Sequence, residues 1–265
     1  MGRILDRGLI HDRALGGIVV KVRGAELVAL LAVTLLWIAV WVPRFQGPID
    51  LRWDASAYYI LGTSLFEGKG YRLLNEPGEI EVIQYPPLLP IFVAAHETAL
   101  GTTNYLDVAP RLRFSYFLLS GLYLFTAYLV VRAFCRPLFA VFVCAMTALS
   151  FSSYLHLSDT LYAEIPFALL SMLFLLCHRR GGQAPYAVTT GVLASAAYLL
   201  RSAGIALLAA WVAESLLRKR LRQAAFRAGV AAIPVIFWQA HIWRVTSSAE
   251  YRRVLPAVRR GLSKP

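Results

Sequence analysis

Three short stretches hold residue types that can do chemistry together. The first is Asp50-Leu51-Arg52-Trp53-Asp54-Ala55-Ser56-Ala57-Tyr58-Tyr59. A carboxylate held beside aromatic rings at a membrane surface can accept a proton from a hydroxyl while its neighbours exclude water. Asp54 also sits where a helix over Ala55 to Phe66 begins, so its side chain equally suits an N-cap. The second stretch is His156-Leu157-Ser158-Asp159-Thr160-Leu161-Tyr162-Ala163-Glu164. There Asp159 is placed to cap a helix, and Glu164 falls about a turn inside it, where an ionisable group is costly and usually functional. The two carboxylates are five residues apart and do not share a helix face neatly. His156 suits an interfacial hydrogen bond better than a ligand role, and with Asp159 it makes a weak metal site. The third stretch, Leu199-Leu200-Arg201-Ser202-Ala203-Gly204, puts a guanidinium at the end of a short apolar run. Such a group binds phosphate bidentately, snorkels to the interface, or pairs with Glu164.

The elements that position these stretches are apolar. Roughly 17 to 20 apolar residues cross a bilayer. The matching segments are Leu27 to Pro43, Phe114 to Val131, Leu138 to Tyr154, Leu161 to Cys177, Tyr186 to Leu217 and Phe226 to Trp243. Tyr186 to Leu217 is too long for one upright helix and reads as a tight hairpin turning at Arg201 to Gly204, which makes about seven spans. In the loop after the first span, Ala55 to Phe66 has Tyr58, Leu61 and Leu65 at helical spacing, with Glu67-Gly68-Lys69-Gly70 as a stop. Pro86-Pro87-Leu88-Leu89-Pro90 then opens a run to Ala95 that is too short to span and belongs on or in the membrane surface.

Charge orders these spans. The N-terminus (Arg3, Arg7, Arg13, Lys21, Arg23), the Arg132 to Arg136 turn, Arg179-Arg180 and the Arg218 to Arg222 run all fall on one side, which the positive-inside rule makes cytoplasmic. The first loop falls on the other side and carries Asp50, Asp54, Glu67, Glu76, Glu79, Glu81, Glu97 and Asp107. Both acidic clusters and Arg201 are thus expected on the external face. The tail after Trp243 departs from the rule with Arg244, Arg252, Arg253, Arg259, Arg260 and Lys264, and reads as amphipathic interfacial sequence.

Composition agrees. Of 265 residues, 58% are hydrophobic and the mean hydropathy is +0.58, against roughly 45–50% apolar for a soluble domain. The net charge of +12 would suit nucleic acid. Its placement at the ends of apolar runs fits lipid headgroups instead, so no nucleic-acid partner is expected. Cys135, Cys144 and Cys177 lie in or at the ends of apolar runs and give no disulfide framework or zinc spacing. Val42-Pro43-Arg44-Phe45 offers no small-residue cleavage site, so the first span reads as a retained signal anchor. The expected architecture is an all-α polytopic bundle. It has a basic cytoplasmic N-terminus over 1–26, a membrane domain over 27–245 with its external loop at 44–112, and a basic tail over 246–265.

In motif order the chain resembles the GT-C superfamily of polyprenyl-phosphate-sugar-dependent glycosyltransferases, in the branch of protein O-mannosyltransferases and lipid A aminoarabinose transferases. The motifs are Asp54 followed by Tyr58, Glu67-Gly68-Lys69-Gly70-Tyr71, Tyr85-Pro86-Pro87-Leu88-Leu89-Pro90, Ser158-Asp159 with Glu164-Ile165-Pro166-Phe167, and Leu200-Arg201-Ser202-Ala203-Gly204. The likeness runs over residues 27 to 245. It implies that Asp54 is the catalytic base, binding an acceptor hydroxyl and assisting its inverting attack on the anomeric carbon. It further implies that Arg201 stabilises the polyprenyl-phosphate leaving group and that Asp159 and Glu164 hold the sugar or position that arginine. Tyr58, His156 and Tyr85 are the remaining substrate-binding candidates, Tyr85 at the wall where the lipid phosphate enters.

The implied partners are a polyprenyl-phosphate-linked sugar, membrane lipids and a hydroxyl acceptor on protein, lipid or glycan, with no cofactor expected and no dedicated metal site. The implied location is a bacterial inner (plasma) membrane, with the active face external. The departure is length, because such enzymes usually run to more spans and often carry a soluble external domain. That length leaves three readings open: a truncated or frameshifted product, a half that needs a partner, or a degenerate relative. Two other classes fit the composition: a small-solute or lipid transporter, and a catalytically inactive membrane scaffold. Against a transporter, the spans hold almost no ionisable residues apart from Glu164, Arg201 and Glu214, and the acidic groups gather on one face.

Overall fold

The computed structural model describes residues 24–179, 184–248 and 251. The basic N-terminal residues, Arg180 and the tail arginines from Arg252 onward lie outside them. Helices make up the regular structure: α1 (Gly24–Trp41), α2 (Asp54–Phe66), α3 (Leu88–Leu100), α4 (Tyr105–Arg132), α5 (Pro137–Leu149), α6 (His156–Asp159), α7 (Glu164–Arg179), α8 (Ala184–Leu200), α9 (Ile205–Leu217) and α10 (Leu221–Ser247). Among the described residues there is no strand, only isolated bridges of Asp50 with Thr160 and Arg72 with Glu81.

Gly24–Gln46, Tyr105–Arg132 and Leu221–Ser247 are long and apolar enough to cross a membrane. Their uncovered side chains are large and apolar, among them Leu31, Leu35, Phe125, Ile233 and Phe237. A water-soluble chain does not leave such bands uncovered, and this is a membrane protein. Shorter apolar helices fill the space between, including α5, α8 and α9.

Ionic contacts sort the helix ends into two groups. Arg132 pairs with Glu26, and Arg227 and Arg218 pair with Glu214, at one end. Arg113 with Asp159, Arg201 with Glu164 and Arg244 with Glu81 lie at the end that carries the first loop. Helices α4, α7 and α9 therefore run from the first-loop end to the other, and α10 runs back.

Several boundaries differ from the sequence expectation, each for a local reason. Helix α4 starts at Tyr105, nine residues before the expected span at Phe114. The Asn104 side chain accepts the Leu106 N–H at 3.2 Å and donates to Asp107 at 2.9 Å, which caps the helix there. The expected span Leu138 to Tyr154 is broken at Ser150, whose backbone is extended, and resumes as a π turn over Phe151–Leu155 that leads into α6. Helix α7 begins at Glu164 and not at Leu161, because Thr160 is extended and bridges Asp50. Asp159 thus ends α6 and does not cap α7, and Glu164 is the first residue of its helix and does not lie a turn inside it.

Other expectations hold. Helix α2 stops at Glu67, followed by Gly68 and Gly70 at φ 71° and 86°. Helices α8 and α9 form the hairpin, turning through Arg201 and a 3-10 segment Ser202–Gly204. A Cβ on Gly204 would lie 2.4 Å from the Tyr198 backbone nitrogen, so only glycine fits.

The first loop packs onto both halves of the bundle. One cluster joins Trp41, Ile49, Tyr58, Leu89, Leu112 and Tyr116, and another joins Leu61, Tyr71, Tyr198, Trp211 and Trp238. Tyr85 packs against both.

Candidate active site

Asp54 is exposed and is the first residue of α2. The N-cap position belongs to Trp53, and no side chain caps this helix. The Asp54 carboxylate is instead held by the Tyr85 hydroxyl, which donates to Oδ1 at 3.0 Å. Tyr58 follows at the i+4 position, on the same helix face, and its ring meets that of Tyr85 edge-on at 5.1 Å. Burial pushes the Tyr58 phenol well above its ordinary value, and the negative charges of Glu164 and Asp54 add to the shift. Tyr85 is pushed up to about 12 by burial and by its bond to Asp54. Both phenols therefore stay protonated donors at neutral pH.

The Trp53 backbone sits at φ 53°, which is rare for a bulky residue. That conformation costs about 1–3 kcal/mol, and it turns the chain so that α2 starts at Asp54. The Trp53 indole stands exposed and meets the His156 ring edge-on at 6.1 Å. His156 also contacts Phe151 and Tyr162.

Glu164 and Arg201 join the same end. Arg201 Nη1 donates to Glu164 Oε1 at 2.5 Å, with both side chains partly exposed. Arg201 has extended backbone between α8 and the 3-10 turn, so no helical turn encloses its side chain. The pairing with Glu164 is one of the roles open to Arg201 from sequence, and it leaves the rest of the guanidinium fork for a ligand.

Asp159 takes a different place. Its carboxylate binds Arg113 Nη2 at 2.8 Å, and the buried Arg113 also donates to the carbonyls of Arg44 and Gly47. The Asp50 N–H donates to the Asp159 carbonyl, and the Leu161 N–H donates to the Asp50 carbonyl, both at 3.0 Å. Asp159 thus staples the first loop to α6 and has no bond to Arg201.

Sequence reasoning missed Arg113, Arg44 and Trp53. Arg113 had a readable signal, since Ala109, Arg113, Tyr116 and Ser120 share helical spacing and are all buried. Arg44 donates to Ser158 Oγ at 3.0 Å, a contact between residues too far apart in the chain for any local pattern to show. Trp53 is set by backbone strain, which composition does not reveal.

Among the described residues, no three His, Cys, Asp or Glu side chains converge as metal ligands. No family model, curated protein or solved structure matches this chain. The arrangement offers one exposed carboxylate, two protonated phenols beside it and a cation braced by a second carboxylate. Those parts suit proton transfer from a hydroxyl next to an anionic leaving group.

Proposed function

We propose that the chain is a GT-C-like inverting glycosyltransferase that moves a sugar from a polyprenyl-phosphate donor to an acceptor hydroxyl. In this reading α1, α4, α5 with its π turn, α7, α8, α9 and α10 are seven membrane crossings. Arg132, Arg136, Arg179, Arg218, Lys219, Arg220 and Arg222 mark the cytoplasmic end of a bacterial inner membrane. The first-loop end is then external. The observation that carries the reading is the gathering of Asp54, Tyr58 and Tyr85 with the Glu164–Arg201 pair at that end.

The chemistry balances without a cofactor. The acceptor oxygen forms a bond to the anomeric carbon as the bond from that carbon to the phosphate oxygen breaks. The leaving polyprenyl phosphate keeps the electron pair, and Asp54 takes the hydroxyl proton. Arg201 offsets the charge that grows on the phosphate, so no general acid is required. Tyr85 holds Asp54 in place, and Tyr58 donates to the sugar. His156 and Trp53 form an aromatic wall beside the sugar.

The test is release of polyprenyl phosphate by the purified chain given undecaprenyl- or decaprenyl-phosphate sugars and membrane extract as acceptor. Asp54→Asn is expected to lower turnover by at least about a hundredfold. Unchanged turnover in a folded Asp54→Asn protein would remove the base from the mechanism.

A further inference from the structure

Away from the catalytic candidates, one seam on the membrane-facing surface has no role in the chemistry above. Helices α1 and α4 both pack on α5 and leave between them a groove of 320 Å³, lined by Leu30, Val33, Trp37, Leu118, Leu122 and Phe125. The lining is almost wholly apolar, with Cys144 of α5 at its back.

Gly121 makes the groove possible. A Cβ there would lie 2.5 Å from Trp37 Cζ2, so a side chain would force the indole out of its place against α4. With glycine, Trp37 lies flat on Phe117, ring centres 4.2 Å apart and planes within 6°. The aromatic floor then climbs toward the first-loop end. Phe117 meets Trp41 and Phe45 edge-on, and Phe45 meets Phe114.

Arg44 stands at the top of this ladder, half-buried, with its guanidinium over the Trp41 ring at 5.3 Å. It spends Nη1 on Ser158 and makes no ion pair among the described residues. The nearby carboxylate of Asp159 is taken by Arg113 at 2.8 Å. Two guanidiniums thus face one carboxylate, which pairs with Arg113 alone, and the rings of Trp41, Phe45 and Phe117 link Arg44 to the end of the groove at Trp37 and Leu118. From Leu30 to Arg44 is about 21 Å at helical rise, the reach of one extended acyl chain.

We propose that this seam seats a glycerophospholipid of the surrounding bilayer, with its phosphate on Arg44 and one acyl chain in the groove. The chemistry recognised is a lipid-borne phosphate, as Arg favours, and the partner is a structural lipid distinct from the sugar donor. Charge complementarity at Arg44 and the apolar lining below it point to the same occupant. The inference does not depend on the catalytic reading.

The experiment is native mass spectrometry of the full chain released from detergent, titrated with phosphatidylglycerol. One lipid is expected to bind per chain above the non-specific background. Arg44→Gln is expected to weaken it about tenfold, the size of one lost charge-assisted bond. Arg111→Gln removes the same charge from an exposed site on α4 and is expected to leave binding unchanged. Equal affinity in Arg44→Gln and the parent would overturn the proposal. So would full competition by inorganic phosphate, which lacks the chain, or by equimolar polyprenyl phosphate, which would assign the seat to the donor.

A second readout covers an Arg44→Gln protein that does not fold. Phosphatidylglycerol with a diazirine in its acyl chain, incorporated with the parent protein into nanodiscs, is expected to label Leu118 to Phe125. Labelling spread evenly over all lipid-facing helices would also overturn the seat. The fate of Asp54→Asn bears on none of these outcomes.

Discussion

At the end opposite the first loop, Glu214 accepts from Arg227 at 2.5 Å and Arg218 at 2.9 Å, with His178 at 3.4 Å. At the first-loop end, Glu164 has a single arginine, and Asp54 has a neutral tyrosine. Glu214 is thus saturated at its end, whereas Glu164 and Asp54 keep open positions at the other. Arg227 is buried and also donates to the Trp211 carbonyl, so Glu214 neutralises a cation that has no access to water. Asp54 neutralises nothing and faces outward. A buried cation clamped by a carboxylate joins two helices, whereas an exposed carboxylate with spare lone pairs is free to accept a proton.

Breaking the saturated end has the largest expected effect. Glu214→Ala strands the Arg227 guanidinium and is expected to cost about 3 kcal/mol of stability, read as a drop in the denaturant midpoint in detergent. Donor turnover per folded molecule is expected to stay at the parent level. Asp54→Asn is the mirror case. The hundredfold loss of turnover expected there amounts to about 2.7 kcal/mol of barrier, while the unfolding midpoint moves by no more than about 0.5 kcal/mol. If Asp54→Asn unfolded the protein as severely as Glu214→Ala, the contrast between the two ends would collapse.

Tyr85→Phe sharpens the comparison. It keeps the ring against both aromatic clusters and removes only the hydroxyl that holds Asp54, so about a tenfold fall in turnover is expected, near 1.4 kcal/mol. No change in turnover would mean that Asp54 finds its position without the tyrosine.

The smallest effect concerns Asp50. Burial alone would raise its pKa, but the hydrogen bonds and charge of Arg52 bring it below the ordinary carboxylate range. A carboxyl with a depressed folded-state pKa contributes stability above its unfolded value of about 3.9, and that stability fades as pH falls through the folded value. Arg52→Gln is expected to raise the folded value, to remove that small contribution at pH 7 and to start acid unfolding at a slightly higher pH, while stability below both values stays at the parental level. An acid transition at the parental pH in Arg52→Gln would show that the pair holds nothing together.

The legible parts of the fold were those written in local patterns. The α2 helix and its glycine stop, the α8–α9 hairpin at Arg201 to Gly204 and the long apolar helices all follow from spacing and turn chemistry. Asp54 and Tyr58 could be named for the same reason, one at the helix start and one on its face, whereas Glu164 is singled out for a place a turn inside its helix and instead begins it. The partner of each carboxylate was not legible. Tyr85 reaches Asp54 across 31 residues and Arg113 reaches Asp159 across 46, and no period links them. Helix α7 starts three residues later than its spacing suggests because the bridge from Asp50 holds Thr160 extended, and a distant strand-like contact outranks local helical propensity.

The π turn at Phe151–Leu155 fits one more residue into its loop than an α turn would. Deleting a single residue there would restore ordinary winding and rotate everything beyond it by about 100°. His156 would swing away from Trp53, and Ser158 and Asp159 would lose Arg44 and Arg113. The angular setting of that whole wall against the first loop is therefore stored in one surplus peptide unit, and chain length through this turn is a tighter constraint than the identity of its side chains.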